Sequence, residues 1–192
     1  KTWPRRILGW IGSLFLALVL LVVATWALGY TRLPPRPELP VDNALPTALA
    51  TPLDKGIEPL LSAHAGESGF RMVSDGVEAF ALRAFSARAA GRSLDVQTYI
   101  WHDDLTGKLL ASELLAAADR GVRVRLLLDD MDARANNFTM AALDAHENIE
   151  VRLFNPFASR SGILGQLAEF ATSFSRINHR MHNKAWIADN RI

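Results

Sequence analysis

The densest cluster of chemistry-capable side chains lies near the end of the chain, Arg176-Ile-Asn-His179-Arg180-Met-His182-Asn183-Lys184-Ala-Trp-Ile-Ala-Asp189. Within it His182, Lys184 and Asp189 form an H-x-K-x4-D pattern. With the chain's five His, four Lys and twelve Asp, chance alone gives such a spacing well under about once in a hundred sequences of this make-up. Two residues apart on an extended segment, His182 and Lys184 share a face. An imidazole beside an ammonium suits a phosphodiester: the cation holds phosphate oxygens while a ring nitrogen attacks phosphorus or shuttles a proton. Asp189, at the far end of the segment, is placed to orient a neighbour or a turn. The competing reading is a surface strand with a satisfied histidine and a solvated lysine.

The elements that must position this pattern alternate in period. Residues 76–90 carry apolar side chains at helical spacing and break at Gly91. Residues 93–101 (SLDVQTYIW) are rich in β-formers, and 106–120 read as a helix ended by Gly121. Residues 122–128 (VRVRLLL) alternate and then become wholly apolar, the pattern of a strand covered on both faces. A polar loop, DDMDARANN, precedes a short helix at 138–146, a strand at 149–154, a helix at 162–174 and a last strand starting at 184–188. This alternation predicts an α/β sandwich with a mostly parallel sheet flanked by helices. Lys1 is not an initiator methionine, and the segment KAWIA runs into the turn dipeptide Asp189-Asn190. The expectation is an N-terminal half, truncated at the motif, whose hairpin partner lies beyond Ile192.

Three blocks resemble the phospholipase D superfamily, in its bacterial cardiolipin-synthase-like branch. They are residues 93–107 (SLDVQTYIWHDDLTG), residues 117–130 (AADRGVRVRLLLDD) and the HKD motif itself, with Arg180-Met-His182-Asn-Lys184 at its core. The resemblance spans about residues 69–192. It implies metal-independent chemistry without a cofactor. His182 would be the nucleophile forming a phosphohistidine, Lys184 the phosphate clamp and substrate-binding residue, and Asp189 the motif's orienting carboxylate. A second HKD histidine, and the downstream Asn that helps bind phosphate, are not in these 192 residues. The resemblance therefore implies that the missing C-terminal half, or a homodimer, completes the site.

The remaining chain bears on where such a site would work. From Ile7 to Thr31 no residue is charged. As a helix, residues 7–29 reach roughly 34 Å, enough to cross a hydrocarbon core of about 30 Å. Trp10 near one end, and Trp26 and Tyr30 near the other, stand where an aromatic belt would. A cleaved signal peptide is the alternative, but its apolar core spans about 7–15 residues and ends in a small-residue cleavage site. Lys1, Arg5 and Arg6 precede the span; Arg32 and Arg36 follow it. That imbalance favours a cytoplasmic N-terminus and a periplasmic globular part, anchored to the inner membrane of a bacterium. Residues 1–6 are then a short basic N-terminus, 7–29 a transmembrane helix, and 30–65 a linker. Residues 66–192 form the phospholipase D-like domain. Seven of the nine prolines fall in 33–59, which predicts an extended, semi-rigid spacer.

Composition narrows the function classes. The chain holds 21 Lys+Arg against 20 Asp+Glu. The first 36 residues carry five of the bases and no acid, leaving 16 basic against 20 acidic residues in the rest. A mildly acidic body disfavours a nucleic-acid partner, whose phosphates call for clustered Lys and Arg. With no cysteine, disulfide scaffolds, Cys-ligated zinc and thiol catalysis are excluded. Asp129, Asp130 and Asp132 follow a strand and form a possible Mg2+ trio. Asp103 or Asp104, beside His102, is a candidate for orienting the catalytic ring. Arg176, His179, Arg180, His182 and Lys184 make a locally basic patch, while His64 and His146 look structural. The first function expected is a membrane-anchored phosphatidyltransferase acting on phospholipid. The alternatives are a phosphodiester hydrolase of the same type and a non-catalytic headgroup-binding domain.

Overall fold

The computed structural model describes residues 3–31, 42–133, 137–158 and 163–192. Residues 1–2 of the basic N-terminus, 32–41 of the expected spacer, 134–136 of the polar loop and the first residue of the helix expected at 162–174 lie outside that set. The chain divides into two compact units, residues 1–39 with 157–179, and residues 40–156 with 180–192.

The first unit contains α1 (Trp3–Thr31) and α7 (Ile163–Ile177), which pack against each other. α1 includes a stretch, Arg6–Ala27, with mean hydropathy 2.7, long and apolar enough to cross a membrane. Thr25 inside it returns its hydroxyl to the carbonyls of Leu21 and Val22, both at 2.9 Å, so the helix presents no unsatisfied polar group there.

The second unit is built on a four-stranded sheet: β1 (Ser93–Thr98), β2 (Arg123–Asp129), β3 (Ile149–Phe154) and β4 (Ala185–Ala188), in the order β3-β2-β1-β4. β1, β2 and β3 run parallel; β4 joins β1 antiparallel. The sheet is thus mixed, with a parallel centre and one antiparallel edge. Between β1 and β2 runs α4 (Leu105–Asp119), packed on α3 (Gly76–Ala89). α5 (Asp130–Ala133) and α6 (Asn137–Asp144) lead from β2 to β3.

The register pairs Leu94 with Val124 and Val96 with Leu126. These four side chains bury together with Leu114, Ala117 and Ala118 of α4 and Ala87 of α3. Small residues let the two helices approach the sheet, and each fully buried Leu or Val side chain contributes about 1.5–3 kcal/mol. Arg88 bridges α3 to Glu113 of α4, and Arg120 caps α3 by donating to the Ala87 carbonyl at 2.8 Å. The apolar end of β2 predicts cover on both faces, but burial along the strand alternates. Its second face carries Arg123 and Arg125, which bind Asp42, and Arg125 also holds Asp95.

Two boundaries differ from expectation. Within the segment read as an extended spacer, residues 52–63 fold as α2 (Pro52–Ala63). Pro52 sits in the first turn, where its missing amide costs nothing. Thr51 and Asp54 form a reciprocal capping box. The compact unit also begins at residue 40 rather than 66. The physical reason is Asp54, fully buried, which receives the side chains of Arg92 and Arg191. Proline content pointed to an extended spacer and could not reveal that charge-pair anchor.

Candidate active site

β4 is only four residues long, and the H-x-K-x4-D pattern straddles it. His182 and Lys184 precede the strand and Asp189 follows it. At about 3.3 Å per residue, the five steps from Lys184 to Asp189 separate them by roughly 16 Å of extended backbone.

At the leading end, His182 and Lys184 are exposed. The His182 ring lies 4.3 Å from the Tyr99 ring, centroid to centroid, tilted by 45°. Lys184 Nζ stands 5.4 Å from the same Tyr99 centroid and donates to the His182 carbonyl at 2.9 Å. One aromatic ring just past the end of β1 thus touches both chemical groups. Aromatic packing with the imidazole and cation–π attraction to the ammonium hold the pair together. Lys184 also lines a cavity of about 290 Å3, with Arg83, Thr98, Trp101, His102 and Asp104 around it. Two cations facing one concavity suit an anionic group of phosphate size.

The floor of this cavity depends on a close turn. Asp104 is the N-cap of α4 and accepts from the Gly107 amide at 2.8 Å and the Thr106 hydroxyl at 2.7 Å. The Thr106 hydroxyl first, then the Gly107 amide, hold the Asp104 carboxyl below the usual range. A Cβ on Gly107 would meet the His102 carbonyl oxygen at 2.0 Å, so only glycine fits. Asp103 pairs with Lys108 at 3.6 Å. Asp103 and Asp104 therefore serve the turn and the helix cap.

The approach to the motif is fixed from the sheet. Buried Asp129, at the end of β2, accepts from the Met181 amide at 2.9 Å and from Arg180 Nη1 at 3.1 Å. Arg180 also reaches the Asn155 carbonyl at 3.4 Å. These contacts bear on two features of the sequence. Asp129 anchors protein groups, and among the described residues no cluster of carboxylates and histidines has metal-site geometry; the side chain of Asp132 lies outside the described set. The basic patch is also smaller than its sequence: Arg180 is engaged by Asp129, and Arg176 by Glu169 at 2.6 Å. His64 pairs with Glu67 and His146 with Asp119, structural contacts as expected.

Asp189, at the trailing end, is buried among backbone donors. Its carboxylate accepts from the amides of Gly91 at 3.0 Å, Arg92 at 2.7 Å and Ser93 at 2.9 Å. Burial alone would raise its pKa. The amides of Gly91, Ser93 and Arg92 and the Thr51 hydroxyl outweigh it and hold the carboxyl below its ordinary value. Asp189 and Asn190 both take left-handed backbone, φ 53° and 57°, and the Arg191 amide closes the turn onto the Ala188 carbonyl at 2.9 Å. The structure therefore brings His182 and Lys184 together and leaves Asp189 at the other end of the strand.

Residues 86–192, covering β1 through the motif, match the family model described as the cardiolipin synthase PLD-like domain. The chain belongs to that family. Cardiolipin synthase C of Escherichia coli (strain K12) is 50% identical over 137 residues, which are 71% of this chain and 28% of that protein. A cardiolipin synthase of Oceanobacillus iheyensis is 28% identical over 129 residues, 67% of this chain and 24% of the relative. The chain thus spans about a quarter of the length of these relatives. Among solved structures, NucT from Helicobacter pylori aligns with TM-score 0.40 and 20% identity, over 59% of this chain and 62% of that one. The family assignment therefore rests on sequence. Tyr99 escaped the sequence reading as a site residue; an aromatic residue closing β1 beside the motif strand was the available signal for it.

Proposed function

We propose that this chain is part of a membrane-anchored, phospholipase D-type phosphatidyltransferase, with His182 as nucleophile and Lys184 as phosphate clamp. The observation that carries the reading is the exposed His182–Lys184 pair gathered on the Tyr99 ring, with Lys184 and Arg83 both lining the adjoining cavity. A ring nitrogen of neutral His182 attacks the phosphorus of a donor phospholipid. The nitrogen–phosphorus bond forms as the phosphorus–oxygen bond to the leaving alcohol breaks, and that alcohol takes a proton from a second acid. The hydroxyl of an acceptor lipid then attacks phosphorus, gives up its proton and frees the histidine. Lys184 balances charge on the non-bridging oxygens throughout. The second acid comes from the protein's further residues or from another copy, as the single motif here requires.

Anchoring follows from α1, whose 22-residue apolar stretch suits a bilayer. Such an anchor keeps the site beside a substrate that never leaves the membrane. Lys1, Arg5 and Arg6, ahead of the uncharged stretch that starts at Ile7, favour placing the second unit on the periplasmic side. Asp189 acts in this scheme by holding the motif strand rather than by touching substrate.

The whole protein, incubated with labelled phospholipid with and without an acceptor lipid, provides the test. A new, acceptor-dependent phosphodiester that carries the acyl chains of both donor and acceptor lipid is expected, at an unchanged rate in EDTA. Phosphatidic acid alone would make the site a hydrolase. Binding without turnover would leave a headgroup-binding domain. Inhibition by EDTA reversed by Mg2+ would overturn the metal-independent scheme.

A further inference from the structure

α7 carries a feature that the proposed chemistry does not use. Its sequence, ILGQLAEFATSFSRI, has a high contrast between faces. Leu167 and Phe170 share a face of the helix, and Phe174 follows a kink at Ser173 (φ −128°, ψ 23°) yet keeps its ring beside that of Phe170; the three are 61%, 42% and 58% exposed. The Phe170 ring lies 6.4 Å from both Phe157 and Phe174, so the aromatic groups form one continuous strip. The helix holds two charges, Glu169 and Arg176, and they lie on another face and neutralise each other at 2.6 Å. Glu169 further accepts from the Ala158 amide at 2.8 Å. An exposed strip of two phenylalanines and a leucine with no free charge beside it is poorly matched to water.

The neighbour of α7 says what covers this strip. α7 packs on α1, within the same compact unit. α1 is the single helix of membrane-crossing length among the described residues, and none of its apolar window is buried against protein. The medium that takes up the surface of α1 is therefore at hand for the strip on α7. We propose that α7 is a second membrane contact, lying in the bilayer interface with Leu167, Phe170 and Phe174 against the acyl chains. Because Glu169 and Arg176 cancel, the contact is apolar rather than electrostatic, independent of anionic lipid and of salt. α7 ends at Ile177, and His182 follows five residues later, so this contact tethers the motif to the lipid surface by a very short segment.

This inference rests on the membrane-anchored reading of α1, and one experiment separates the two. Residues 1–192 contain no cysteine, so once any cysteine in the rest of the whole protein is replaced by serine, single cysteines can be placed on a background free of other reactive thiols. The positions are Leu16→Cys in α1, Leu167→Cys, Phe170→Cys and Phe174→Cys on the strip, and Ser175→Cys off it. Each is labelled with bimane and reconstituted in phosphatidylcholine vesicles with and without phosphatidylglycerol. The expected result is quenching of 167, 170 and 174 by shallow nitroxide lipids, with iodide quenching at least about threefold weaker than at 175, equal in both vesicle types. Leu167→Cys removes no ring and keeps the test alive if a phenylalanine variant misfolds. Iodide reaching the strip as readily as 175, with Leu16 quenched by mid-bilayer nitroxide, overturns the α7 contact alone. Shielding from iodide without nitroxide quenching assigns the strip to a protein partner and overturns it too. An unquenched Leu16 overturns the anchor and the inference together.

Discussion

The two ends of β4 make opposite use of the same short motif. At one end His182 and Lys184 are exposed and steadied by a single tyrosine ring, and Lys184 lines a cavity. At the other, Asp189 is fully buried and saturated by the amides of 91–93. Spacing that reads as one catalytic constellation is, in space, an exposed end, reactive under the proposed function, and an anchoring end joined by four residues of strand. The lesson is that the aspartate of such a pattern can matter as much as the histidine while never meeting the substrate.

The sharpest way to break this contrast is to remove one group from each end. His182→Ala in the whole protein should lower phosphodiester turnover by about 10,000-fold or more, with an unchanged melting temperature. Turnover near wild type would remove the nucleophile assignment. Asp189→Ala should act in the other currency, costing about 3 kcal/mol of stability because buried amides lose their acceptor. Thermal unfolding would show this. An Asp189→Ala protein that melts normally yet is inactive would move Asp189 into the chemistry.

Tyr99 refines the reactive end. Tyr99→Ala should reduce kcat by about 10- to 100-fold through lost positioning, with little change in melting temperature. Tyr99→Phe, which keeps the ring face, should stay within about threefold of wild type. Equal losses in both variants would mean that the hydroxyl acts instead. The smallest effect concerns pH. Asp189 and Asp54 both titrate below their ordinary range. Burial would raise the Asp54 pKa, but Arg191 and the Thr51 amide outweigh it. For a depressed carboxyl the stabilisation is present above the unfolded value of about 4 and is lost as pH falls through the folded one. Denaturant midpoints should therefore hold between pH 7 and 5 and decline below about 4, less steeply in Asp189→Asn.

Much of the second unit was legible because local period decides it. The helix and strand spacings of 76–128 and 149–154 mark the same elements that fold, within a few residues. What stayed hidden is non-local. Asp129 reaches Met181 across 52 positions, and Asp189 reaches Gly91 across 98. No window of sequence contains both partners. α2 is an intermediate case: Thr51-Pro-Leu-Asp54 is a capping signature, masked by the prolines around it. The alternation of β2 was misjudged at Leu127 because apolar character alone does not say which face a helix will cover.

The antiparallel place of β4 has a consequence for how the molecule comes into being. β1 and β2 are joined through the adjacent helix α4, but β4 pairs with β1 only after some ninety intervening positions have been threaded past. Contacts so distant along the chain form slowly, since the loop must close before the pairing rewards it. The parallel centre, residues 93–154, can therefore form before the segment bearing His182 is set in place. Under the proposed chemistry, reactivity is then the last property this part of the protein acquires, on a scaffold already folded.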